Sequence, residues 1–291
     1  IMNKSFFVMA ISAMFFISCS NKETNVIAVD EPQAPEVVAL KNDLKALNNE
    51  LFGEQVVTKA RPKWWQVLLT AIADAGVGLL TGNVGYAINA SSLTWSIVKD
   101  FSVQKIETKS DDDTFCSVRD SVFAMSHLDI DGNDNNDGVL HNQVVLNLYE
   151  RYGEELFKLP EEVLLQAVAD EVALLTGCEA NEVIPNVAEA KIEMKVYTDA
   201  YIESANVDEY IGRLKAVNPE KADALDVLKI TLEGFQFVDI KTDDGRYAEK
   251  VLDVIDNSDV SPDMKADLSS GVAIANASTR LWNQDELLSE R

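Results

Sequence analysis

Apolar positions recur at helical spacing over most of the chain. Val37, Leu40, Leu44, Leu47 and Leu51 fall three and four apart and stop at Gly53, which predicts an amphipathic helix within residues 36–58 that ends on a C′ glycine. Leu140, Val144, Leu148, Tyr152 and Leu156 step by four. Pro160 opens a helix whose apolar face carries Leu164, Leu165, Val168, Val172 and Leu175, with Gly177 just past its end. Asn218-Pro219 and Ser261-Pro262 each read as an N-cap followed by proline at the first helical position. They introduce Leu225, Leu228, Leu232 and Phe235, then Leu268, Val272, Ala275, Thr279 and Trp282. No run of strand-type alternation and no internal repeat breaks the pattern. The expected fold class is all-α, a multi-helix bundle of about eight helices.

Residues 64–98 depart from this amphipathic habit. Trp64-Trp65 opens the stretch, Asp74 is its only charge, and Ala71, Ala75, Gly78, Gly82 and Gly85 recur at intervals of four and three. On a helix these small residues share one face, where another backbone can come close. Two readings compete: a membrane-inserting or self-associating segment with the tryptophans at an interface, or a close-packed helical hairpin broken near Gly82-Asn83. The hairpin is favoured, because Asp74, Asn83 and Asn89 are each costly in hydrocarbon.

The first residues change the setting. Lys4 precedes an apolar run from Phe6 to Ile17, of secretory length and too short to span a bilayer. Phe16-Ile17-Ser18-Cys19 resembles a lipobox, with Phe16 where leucine or valine is usual. The resemblance implies cleavage before Cys19, a thioether from its thiol to a diacylglyceride, and acylation of the freed amine, which exceeds the two-signal threshold for stable anchoring. Lys22-Glu23 is similar to the surface-export signals of Bacteroidota lipoproteins. The expected organisation is a signal peptide at 1–18, a lipid anchor and flexible tether at 19–35, the amphipathic helix at 36–58, a small-residue-rich hairpin at 59–110 and a helical domain at 111–291.

Charge narrows the partners. With 25 basic and 49 acidic residues the net charge is −24, which repels nucleic acid and anionic headgroups. A hydrophobic content of 47% makes the acid a solvated surface on a folded chain. Beyond Cys19 only Cys116 and Cys178 remain, and an exported location permits them to pair; two separate thiols fit the sequence equally well.

Candidate chemistry is sparse. Asp129 to Gly138 is dense in oxygen ligands, and Asp131, Asn133, Asn135 and Asp137 form a partial calcium-loop pattern. Val144 stands where the closing bidentate glutamate belongs, so an Asx-rich turn that caps the following helix is the favoured reading. His127 and His141, the only histidines, flank this loop. A metal-assisted hydrolase needs three ligands and an open position, and none of the usual hydrolase, phosphate-loop or zinc motifs accompanies them. Asp120-Ser121-Val122 matches the short acceptor pattern for O-glycosylation in Bacteroidota envelope proteins.

Taken together, Lys63-Trp64-Trp65 with the Gly/Ala-rich stretch, Gly138-Val139-Leu140-His141-Asn142, and the helical tail with Ser278 and Trp282 resemble a group of uncharacterised, all-helical Bacteroidota lipoproteins over about residues 60–282. The resemblance carries no activity with it. The expectation is therefore a lipid-anchored outer-membrane protein, on the surface or periplasmic face. It is expected to bind a protein or glycan partner rather than catalyse, with no cofactor, and with membrane activity of residues 64–98 and calcium binding as the alternatives.

Overall fold

The computed structural model describes residues 33–53, 64–102, 137–204, 206–238 and 245–282. Eleven α-helices and two 3₁₀ turns, with no strand, occur among the described residues, so the all-α expectation holds with more helices than the pattern alone indicated. In chain order the helices are α1 (Pro35–Phe52), α2 (Trp64–Thr81), α3 (Val84–Ser102), α4 (Asp137–Tyr152), α5 (Glu161–Thr176), α6 (Ala180–Val183), α7 (Val187–Ile202), α8 (Val207–Val217), α9 (Ala222–Phe235), α10 (Arg246–Asp256) and α11 (Pro262–Trp282). Residues from Ala34 onward gather around one hydrophobic core.

Local chemistry sets most of the ends. Pro35 sits in the first turn of α1, and Gly53 at φ 66° closes it. Asn186 and Asn206 cap α7 and α8 by accepting backbone N–H groups, and Ser261 accepts the Met264 N–H at the start of α11. The hairpin turn between α2 and α3 is built by three residues. Gly82 takes φ 60°, Thr81 Oγ1 donates to the Val77 carbonyl, and Asn83 Oδ1 caps α3 by accepting the Gly85 N–H at 2.8 Å.

Three expectations need correction. The four-residue stepping from Leu140 to Leu156 does not mark one helix: Gly153 turns left-handed at φ 57°, and Gly153–Lys158 continues as a 3₁₀ turn. Asn218 does not cap the helix that follows it. Pro219–Lys221 forms a 3₁₀ turn, and Asn218 instead ends α8 with its N–H on the Leu214 carbonyl. The small-residue stripe is not one continuous face either. Ala71, Ala75 and Gly78 lie buried on α2, Gly82 is exposed in the turn, and Gly85 packs on α3 against Val183.

The α2–α3 hairpin is the centre of the molecule. α2 runs antiparallel to α11, with Gly78 against Ile274 and with Gly271 beside the Ala75 carbonyl and Leu79. α4 reaches the other side of α11. A Cβ on Gly138 would stand 2.3 Å from the Ala273 carbonyl oxygen, so only glycine permits this approach. From Gly271 to Trp282 every residue of α11 is buried, as expected of a helix enclosed on all sides. The small residues of α2 are thus used against α11 and α3. No described helix is long and apolar enough to cross a membrane.

α1 docks at the periphery. Val37, Leu40 and Leu44 are buried on α9 and α10. Asn48 Nδ2 donates to the Ile230 carbonyl at 2.9 Å, and the Tyr247 hydroxyl lies 2.8 Å from both Asn48 Oδ1 and the Thr231 carbonyl. Gly234 leaves the room that this hydroxyl occupies.

Candidate functional site

The α2–α3–α4–α11 hub encloses the densest group of polar side chains among the described residues. Asp74 from α2 lies at its centre and is fully buried. Its Oδ2 accepts a hydrogen bond from Ser91 Oγ of α3 at 2.8 Å and another from Ser278 Oγ of α11. Ser91 in turn accepts the indole N–H of Trp282 at 2.9 Å; an indole N–H only donates, which leaves the Ser91 proton for the carboxyl. His141 from α4 brings Nε2 to 3.7 Å from Asp74 Oδ2, and its Nδ1 lies 3.0 Å from Asn142 Oδ1. Asn142 Nδ2 donates to the Ala277 carbonyl at 3.0 Å, which fixes this part of α4 to α11.

Helical spacing explains who can take part. Ser278 and Trp282 are one turn apart on α11, so both reach toward α2 and α3. Asp74 and Gly78 bear the same relation on α2, and the glycine brings α11 close enough for Ser278 to meet the carboxyl. Farther along α4, Glu171 of α5 accepts from Asn147 Nδ2 at 2.8 Å and pairs with Arg151, which holds α4 on its other side.

Burial governs the electrostatics here. It pushes the Asp74 carboxyl up to about 8, against the hydrogen bonds of Ser278, Ser91 and Trp282 that favour the anion. It drives His141 down to about 4, against the opposing effect of Asn142. Tyr201 of α7 is raised to about 12 by burial, and the fully buried Tyr210 of α8 is raised as well; the negative charge of Asp74 adds to both. At neutral pH the site therefore holds a neutral acid beside a neutral imidazole. Asp74 Oδ1 and His141 Nε2 have no hydrogen-bond partner among the described residues.

Serine, histidine and aspartate meet here in an order unlike that of a hydrolase. In a nucleophilic triad the imidazole takes the serine proton and the carboxylate orients the imidazole. In this hub both serines donate to the carboxyl, and Nε2 faces the carboxyl rather than either hydroxyl. All four side chains are buried, so the arrangement holds helices together and can store a proton; it does not present a nucleophile to solvent.

Of the residues singled out in the sequence, Asp74, His141, Ser278 and Trp282 converge here. Asp137, the one calcium-loop candidate among the described residues, begins α4 and accepts a hydrogen bond from Ser270 Oγ of α11. Asp131, Asn133 and Asn135 lie outside the described residues, as do Cys19, Cys116, Ser121 and His127. Cys178 is half-buried between α5 and α6, its Sγ 3.0 Å from Thr176 Oγ1. Among the described residues no group of three or more His, Cys, Asp or Glu side chains is placed to hold a metal ion. Asp74 as the organising residue, with Ser91, escaped the sequence reading; the signal that could have found them is a lone carboxylate in an otherwise uncharged run, with small hydroxyl residues on the facing helices.

Compared with protein-family models, curated proteins and solved structures, the chain matches none.

Proposed function

We propose that the chain is a lipid-anchored cell-envelope protein that works by binding or scaffolding. The observation that carries this reading is the placement of its reactive groups. Among the described residues, the one convergence of serine, histidine and aspartate side chains lies inside the hub, in an order that orients no nucleophile. What the molecule offers to a partner is its outer surface, which in a chain of net charge −24 is strongly acidic. Such a surface favours basic or neutral partners, proteins or glycans, over nucleic acid. The anchor is the lipobox-like Phe16-Ile17-Ser18-Cys19, which sits ahead of α1.

Protease treatment of intact cells, beside cells with the outer membrane opened and beside the Cys19→Ala variant, tests the proposal. Fractionation of the native chain with membranes, and of Cys19→Ala with the soluble fraction, is the expected result. Digestion on intact cells points to ligands outside the cell; digestion only after opening points to periplasmic partners. A Cys19→Ala chain that stays on the membrane as firmly as the native one overturns the anchor.

A further inference from the structure

The hydrogen bonds of the hub determine where a proton must be. The Ala277 carbonyl can only accept, so the Asn142 amide nitrogen has to face it. That turns Asn142 Oδ1 toward His141 Nδ1, and an oxygen at 3.0 Å requires Nδ1 to carry hydrogen. A neutral His141 then presents a bare Nε2 to Asp74 Oδ2 at 3.7 Å, and Nε2 has no other partner among the described residues. With no proton on either group, two acceptors oppose each other where no solvent can intervene.

We propose that Asp74 and His141 together hold a single proton in the folded chain, and that this proton makes the junction of α2, α4 and α11 a pH-sensitive latch. The proton resides on the carboxyl, because an ion pair so deeply buried costs more in desolvation than the neutral pair. Among the described residues, few charged or titratable groups bear on the junction. Tyr201 of α7 and Tyr210 of α8 face Asp74. From α3 come Ser91, and from α11 Ser278 and Trp282. Arg280 of α11 directs its Nε to Asn276 Oδ1 at 3.1 Å on its own helix. The buried face of α9, with Val227, Leu228 and Thr231, is uncharged. Glu171 of α5 is engaged by Asn147 and Arg151, and Glu155 and Lys158 of the 3₁₀ turn after α4 pair with each other in solvent.

The proton balance gives the sign. Unfolded, the carboxyl ionises near 3.8 and the imidazole near 6.5; folded, they shift to about 8 and about 4. Between about pH 4 and 6.5, folding moves one proton from imidazole to carboxyl and takes up none. From about 6.5 to 8 the unfolded pair has lost its proton while the folded pair keeps it, so folding takes one up and the latch weakens as pH rises. Without Asp74, only the imidazole remains, and its contribution rises between about pH 4 and 6.5 and is level above.

Two measurements on the full chain decide the matter. In NMR of histidine-labelled protein only two imidazoles are present, and His127→Gln assigns them. His141 is expected to stay neutral, protonated on Nδ1, throughout about pH 5 to 8. A cationic His141 at neutral pH, an Nε2-protonated tautomer, or titration at the ordinary histidine position overturns the proposal. Melting temperatures of the native chain and Asp74→Asn are then followed over the same range. The native curve is expected to fall relative to the variant between about pH 6.5 and 8, and parallel curves overturn the latch. Should Asp74→Asn fail to fold, the imidazole spectrum of the native chain decides alone.

Discussion

Around Tyr247, α1, α9 and α10 are joined by neutral groups; around Asp74, α2, α3, α4 and α11 are joined by an acid and an imidazole. In the first site Asn48 donates to the Ile230 carbonyl and accepts from Tyr247, and Phe235 meets the Tyr247 ring edge-on at a centroid distance of 4.9 Å. In the second, two serines donate to one carboxyl oxygen and an indole donates to one of those serines, while Asp74 Oδ1 and His141 Nε2 have no partner among the described residues. Both sites are buried and both cross helix boundaries, yet only one can change with pH. A satisfied neutral network specifies a docking geometry and little else. An ionisable pair specifies geometry too, but its strength depends on proton occupancy.

The comparison can be broken most forcefully at Gly138. The added methyl of Gly138→Ala meets the Ala273 backbone, which cannot yield as a side-chain tip would, so a stability loss of about 3 kcal/mol is expected in chemical denaturation. A loss under about 1 kcal/mol would mean that α4 and α11 are not so closely apposed. The next effect belongs to pH. Between about 6.5 and 8 the native chain should lose on the order of 2 kcal/mol relative to Asp74→Asn, from one proton over that interval. Tyr247→Phe removes the hydroxyl that serves Asn48 Oδ1 and should cost about 1 kcal/mol. Its cost should be the same at about pH 5 and pH 8, since the site holds no carboxyl or imidazole; a pH-dependent cost would erase the contrast between the two sites. Smallest is Lys41→Met. Lys41 pairs with Asp226 at 3.1 Å, but Asp226 also holds Lys215 at 2.8 Å, so a change of about 0.5 kcal/mol or less is expected.

Much of the helical framework was legible from the chain. The seam of Val37, Leu40 and Leu44, the caps at Ser261 and Gly177, and the break at Gly82 all depend on residues within a turn or two of one another. Where the reading slipped, at Asn218-Pro219 and across Gly153, a local signal had two local outcomes. Proline starts a 3₁₀ turn as readily as an α-helix, and a four-residue step continues to look periodic past a left-handed glycine. The candidate site was visible only in pieces: His141 near the acidic loop, Asp74 as a lone charge, Ser278 and Trp282 in the tail.

Short-range periodicity, capping and composition are enough for the all-α class, several helix ends, the acidic exterior and the small-residue face of α2, since none of these needs a distant partner. Only the packing of distant helices closes this face with α11 and α3 and brings Asp74 to His141, Ser91 and Ser278. Those partners come from separate helices. Which faces meet depends on how glycines let backbones approach across long sequence separations, and on a buried carboxyl finding the few donors that can reach it.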